Sequence, residues 1–185
     1  MSITRQQALD CFASDDLIGI GLEADALRRT LHPEGVVTYV VTEPAGDPLE
    51  APANDITAAL TIGLGETPTQ FLDQLETIHT LQAQSAPFAA FTLHTASGPT
   101  EPTAVEYLKT LAICRLYLDN IPNIQTSAAV GPKVLQMCLR FGANDIGAIP
   151  HHQKHATEED LRRIIRDAGF QPIQRDPLYR TMFLN

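Results

Sequence analysis

VVTYVVTEPAGDPLEAPANDITAALTIGLGET, residues 36–67, decides how this chain is read. Its first seven residues are all β-branched or aromatic, which predicts a strand over 36–42. A proline-, glycine- and acid-rich bridge follows, without periodicity, and reads as a loop. ITAALTI then predicts a second strand over 56–62. That strand runs into Gly63-Leu64-Gly65-Glu66, a turn whose glycines let a ligand approach the backbone. Thr67 as N-cap, Pro68 at the first helical position and Gln70 three residues after the cap open a helix over 67–84. Strands with such a helix between them belong to parallel sheets, yet the bridge between the first two strands carries no helical pattern.

Working outward, the chain alternates. Strands are expected at 88–93, 124–129, 145–149 and 171–175, and helices at 101–120, 132–141 and 157–168. Upstream, residues 3–12 and 17–31 read as two amphipathic helices, with Ser14 or Asp15 capping the second. Strand–helix alternation means βαβ units with right-handed crossovers. The expected fold class is therefore α/β. It comprises about four parallel strands of a half (β/α)8 barrel with outer helices, a separate small pairing of the strands at 36 and 171, and two N-terminal helices. A whole barrel needs about 250 residues, and this chain has 185.

Composition narrows the function classes. Apolar residues make up 44% and charged residues 19%, with a net charge of −9. A nucleic-acid-binding face is not expected from such a balance. No apolar run is long enough to span a membrane and no leader pattern opens the sequence, so a cytoplasmic protein is expected. The three cysteines, Cys11, Cys114 and Cys138, are widely spaced and form no disulfide framework or metal knuckle. Cys114 and Cys138 sit among apolar neighbours and are expected in the core.

The chemistry-bearing residues are few. Gly63, Gly65 and Glu66 form a candidate cofactor-binding turn, with a tight structural turn as the competing reading. His94 at a strand end and Asp145 at a helix-to-strand turn are the catalytic candidates. A polar strand end for His94 and turn chemistry for Asp145 are the readings that come first, with catalysis second. His151, His152 and His155 are the only local cluster of metal-capable side chains, but Pro150 and a cap at Thr157 predict a solvated loop there, and no metal is expected.

Several stretches resemble one family when taken together. They are LHPEGVVTYVV, TIGLGET, VEYLKTLAICRLYLDNIPNIQTS, GPKVLQMCLRFGANDIGA and EEDLRRIIRDAGFQPIQRDPLYR, in order along the chain. They resemble the radical S-adenosylmethionine enzymes of futalosine-pathway menaquinone biosynthesis, the cyclic dehypoxanthine futalosine synthase and aminofutalosine synthase family. The resemblance implies that the turn at Gly63 lies along the adenine of the cofactor. It also implies a CxxxCxxC loop for a [4Fe–4S] cluster after the first strand, which this sequence lacks. Residues 1–42 would be the N-terminal helices and leading strand of a single domain. Residues 43–54 would replace the cluster-bearing half, and 55–185 would be the C-terminal half of the barrel. Two other loops of the family also differ here, at HTASGP and IPHHQKH.

The resemblance thus implies retained scaffold and lost radical chemistry, a pseudoenzyme without a 4Fe–4S cluster. It would bind S-adenosylmethionine, another nucleoside-like molecule, or a menaquinone-pathway enzyme as partner. A homodimer is expected to close the open half-barrel, with a monomer whose helices fold over the open face as the alternative, unless a separate chain supplies the missing half. Two alternatives stand beside this. One is an enzyme of another class built at a dimer interface from Glu66, His94, Asp145 and the histidines at 151–155. The other is a structural remnant.

Overall fold

Four of the helices begin at reciprocal capping boxes, Thr4 with Gln7, Thr67 with Gln70, Thr103 with Glu106 and Thr157 with Asp160. Each box satisfies two backbone N–H groups that a helix start leaves orphaned, which fixes where the helix begins. The computed structural model of the chain describes residues 2–42, 56–127, 130–150 and 157–180. The elements are α1 (Arg5–Ala13), α2 (Leu17–Leu31), β1 (Val36–Thr42), β2 (Thr57–Ile62), α3 (Pro68–Ser85) and β3 (Ala90–Thr95). They continue as α4 (Ala104–Tyr117), β4 (Asn123–Gln125), α5 (Pro132–Cys138), β5 (Asp145–Pro150), α6 (Glu158–Asp167) and β6 (Gln171–Gln174). The expected loop at 43–54 lies outside the described residues.

Boundary differences have local causes. β3 starts two residues later than expected because the Gln82 side chain holds both backbone groups of Phe88, accepting from its N–H and donating to its carbonyl. α2 is capped by Asp16, whose Oδ1 accepts from the Gly19 N–H at 2.8 Å, while Ser14 accepts from the Asp16 N–H and so positions the cap. α4 is shorter than the expected 101–120 because Thr103 caps it at one end and Leu118 leaves it at the other.

All six strands are parallel, in the order β2-β3-β4-β5-β1-β6. The crossovers β2→β3→β4→β5→β6 all progress in one direction across the sheet. Right-handed connections therefore put α3, α4, α5 and α6 on one face, the winding of a barrel rather than of a doubly wound sheet. The strands at 36 and 171 do pair, Val36 with Gln171 through Tyr39 with Gln174. The pairing is not separate, however. β1 also pairs with β5, Thr38 with Asp145, so one sheet runs through all six strands.

The core lies between sheet and helices, centred on α4. Tyr107, Leu108 and every residue from Thr110 to Tyr117 are buried. A helix apolar all round needs cover on both sides. The sheet supplies one and α1 and α2 supply the other, forming a further layer. Burying Leu108, Leu111, Ile113 and Leu116 stabilises the fold by about 1.5–3 kcal/mol each. Cys114 and Cys138 are both buried here, as expected.

Arg115 is the exception in this helix, fully buried and without a carboxylate partner among the described residues. Its guanidinium donates to the carbonyls of Gly142, Ile121 and Pro122 and to Asn144 Oδ1 at 2.6 Å. Burial, aided by the charge of Arg28, pulls its pKa down to about 9. Its hydrogen bonds tie α4 to the starts of β4 and β5, which sets the position of Asp145.

Candidate functional site

Two places in the fold collect polar chemistry. The first lies on the sheet face opposite the helices. Ala59, Thr92, Gln125, Asp145, Thr38 and Ile173 stand in mutual register across all six strands. Tyr39, one residue from Thr38, points to the other face, where its hydroxyl donates to Glu158 and accepts from Arg162, both on α6. The row is therefore the non-helical face, the side that a closed barrel turns inward.

Asp145 sits in this row, fully buried. Its Oδ2 accepts from the Thr38 hydroxyl and from Arg175 Nε, each at 2.5 Å. Its Oδ1 accepts from Arg175 Nη2 at 2.9 Å and from the Gly147 N–H at 2.8 Å. Arg175 follows β6 and is itself only 4% exposed. Its guanidinium stacks 3.7 Å from the centroid of Tyr179, whose hydroxyl donates to Gln125 Oε1 at 2.8 Å. Burial pushes the Tyr179 phenol up to about 12. Residues 175–180 thus fold back across the inner face. The turn is held by Asp176, which accepts from the N–H groups of Leu178 and Arg180 and from Arg180 Nε. A hollow of about 270 Å³ remains at the strand N-termini, between His32, Thr38, Asn144, Arg175 and Tyr179. In a barrel that end carries stability rather than chemistry.

The second place is the turn after β2. Gly63 and Gly65 have φ of 91° and 89°, conformations that favour glycine. A Cβ at Gly63 would stand 2.7 Å from the Thr100 carbonyl oxygen and 2.9 Å from Pro102 Cδ, so backbone conformation and close packing both demand glycine there. The Glu66 carboxylate accepts from the N–H groups of Gly63 at 2.9 Å and Leu64 at 2.8 Å. Burial pushes the Glu66 pKa up, but these amides and its own outweigh it and hold the group below its usual range. The turn opens on a cavity of about 450 Å³ between the starts of α3 and α4. Phe12, Phe71, Pro68 and Pro102 supply its apolar lining, and Glu66, Glu101 and Glu106 its charge.

The residues singled out in the sequence do not converge. His94 is exposed near the end of β3, paired with Thr61. Asp145 lies on the same face, but two strands away and nearer the strand N-termini, and its oxygens are engaged. Glu66 belongs to the turn at the far edge of the sheet. His151, His152 and His155 lie outside the described residues. What sequence reasoning missed is the set around Asp145, namely Thr38, Gln125, Arg175 and Tyr179. A carboxylate at the start of an interior strand requires a cation, but no local spacing says which one.

The cluster implied by the family resemblance does not fit the residues present. Three thiolates must project from one loop to hold it. Cys11, Cys114 and Cys138 stand on three different helices. Burial pushes the thiols of Cys114 and Cys138 up, the latter to about 12, which opposes the thiolate form. Among the described residues no group of three or more His, Cys, Asp or Glu side chains could hold a metal ion, and no helix is long and apolar enough to cross a membrane.

A parallel sheet wound in one direction, with every crossover helix on one face, defines the chain as a partial (β/α)-barrel protein. Among solved structures it is similar to the FeFe-hydrogenase maturase HydG of Carboxydothermus hydrogenoformans, with a TM-score of 0.55 at 16% identity over 71% of this chain and 36% of that one, a likeness of fold. Residues 92–184 match the family described as the CofH/MqnC C-terminal region, and the chain belongs to that family. It is 32% identical over 146 residues to the cyclic dehypoxanthine futalosine synthase of Streptomyces coelicolor, covering 70% of this chain and 37% of that protein. It is also 32% identical over 148 residues to the aminodeoxyfutalosine synthase of Thermus thermophilus, covering 68% of this chain and 40% of that protein. The matched region thus spans about two fifths of the length of these relatives, and the family read from the sequence is the family found.

Proposed function

We propose that this chain is a non-radical member of its family that binds a nucleoside-like small molecule in the cavity beside Gly63, Gly65 and Glu66. The observation that carries this reading is the turn itself. Its two glycines adopt positive φ and it opens on a cavity large enough for such a ligand, while the chain has no thiolate triplet. A thermal-shift panel of adenosine, S-adenosylmethionine and futalosine-type nucleosides tests it. Saturation at a hundred times Kd adds about 2.7 kcal/mol, or roughly 5–11 °C for a domain of this size. Gly63→Ala should lower stability by about 1–3 kcal/mol through its backbone conformation and lose the ligand shift. If no nucleoside shifts the wild-type transition, the reading fails.

The edge of the sheet favours a second element of the reading, a homodimer. The outer edge of β2 has no strand partner among the described residues. Unpaired edges of this kind invite pairing, and twofold symmetry is the default way to satisfy them. Sedimentation equilibrium should give twice the chain mass of 20.2 kDa. A monomer at all concentrations would remove the dimer and leave the cavity reading in place.

A further inference from the structure

The cavity beside Gly63 has a one-sided chemistry. Its apolar part is rigid, built on prolines 68 and 102 and on an edge-to-face pair in which the rings of Phe12 and Phe71 lie 6.1 Å apart at 81°. Leu64, in the same turn, is 72% exposed and adds apolar surface beside the opening. Six of the backbone donors around the cavity that could have held an anion are already engaged. Glu66 takes the N–H groups of Gly63 and Leu64. The α3 cap uses those of Thr67 and Gln70, and the α4 cap uses those of Thr103 and Glu106. The Thr110 hydroxyl donates to the Glu106 carbonyl.

Among the described residues no lysine, arginine or histidine lines the cavity. The nearest cation on α4, Lys109, donates to the carbonyls of Phe12 and Ser14, the latter at 2.5 Å, and its charge helps keep Glu106 ionised. Three carboxylates do line it. Glu106 is kept ionised by the Thr103 N–H and hydroxyl.

From the spent donors, the aromatic wall and the carboxylates together, we infer that the cavity selects a compact organic cation with a flat apolar body and rejects phosphorylated ligands. This rests on the nucleoside reading for the body of the ligand but not for its charge. A protonated amine gains from Glu66, Glu101 and Glu106, and its ring packs on the phenylalanines and prolines. A phosphate in the same position meets three like charges, and at each of the two helix starts the capping box already takes two N–H groups.

Two ligand pairs, measured by calorimetry on the full chain, separate charge from body. The first is 5′-amino-5′-deoxyadenosine against adenosine 5′-monophosphate. The second is phenethylamine against 3-phenylpropionate. The cation of each pair should bind at least tenfold tighter, and the difference should shrink with added salt. Glu101→Gln combined with Glu106→Gln, which keeps a capping side chain at the start of α4, should reduce the difference without unfolding the chain. Binding of phenethylamine but of neither adenosine derivative would overturn the nucleoside reading and sustain the charge selection. Equal binding within a pair, or tighter binding of the phosphate, would overturn the charge selection and leave the nucleoside reading standing. Failure of all four to bind would overturn both.

Discussion

Arg175→Met will lower the stability of this chain by about 3–5 kcal/mol, the cost of leaving a buried carboxylate without its cation. Asp145 is fully buried, and two of its four accepted hydrogen bonds come from that guanidinium. Methionine fills much of the arginine's volume, so the loss is one of charge pairing more than of packing. Asp145→Leu alone should cost a comparable amount, because it strands Arg175 beneath the turn at 176–180. The double variant should be less destabilised than the sum of the two, since no unpaired charge remains. Urea unfolding of the four proteins checks this. Additive effects, or a loss under 1 kcal/mol for Arg175→Met, would mean that residues 175–180 do not seal the inner face. The unfolding slope is informative as well. A tail released from the native sheet leaves less surface to expose, so m should fall in the single variants.

Anaerobic reconstitution with iron and sulfide should leave the purified chain colourless, with no 4Fe–4S absorbance and no cleavage of S-adenosylmethionine. The expectation is all-or-none because cluster assembly needs its thiolates together. The chain's three thiols stand on α1, α4 and α5, two of them fully buried. A half-formed site cannot arise by rotamer change, since moving Cys114 or Cys138 outward means unpacking the core around α4. Brown material with stoichiometric iron and sulfide would overturn the non-radical reading. Mutation of Cys11, the one half-buried cysteine, would then show whether a surface thiol had been recruited.

Much of the fold was legible. Capping chemistry is local, so Thr67, Pro68 and Gln70 announce the start of α3 within four residues, and Thr157 does the same for α6. Strand β1 was equally plain, because seven consecutive β-branched or aromatic residues have few other uses. Where the reading slipped, a nearby side chain took a backbone group that the pattern had not assigned to it. Gln82 claimed Phe88, and Asp16 rather than Ser14 or Asp15 capped α2. The placement of α1 and α2 over α4 followed no local signal. It shows only in a helix apolar on every side, which a half-barrel with one helical layer would leave half wet.

The candidate site was legible in part. Gly63 and Gly65 stood out because few other residues tolerate a positive φ at a strand-to-helix turn. That Glu66 would fold back onto the amides of that turn could not be read from its spacing alone. Asp145 stood out as a turn residue, and it became the anchor of a buried network.

By itself the sequence determined the elements, the caps of α3 and α6, the barrel-type alternation, the family and the missing thiolate triplet. The elements, caps and thiolate spacing depend on residues within a few positions of one another, and the alternation and the family on the order of such stretches along the chain. Only the tertiary structure decided that β1 lies between β5 and β6, that Arg175 meets Asp145 across thirty positions of chain, and that the tail covers the inner face. Sheet order sets those contacts, and sheet order reflects which strands bury the most surface together rather than any short-range pattern.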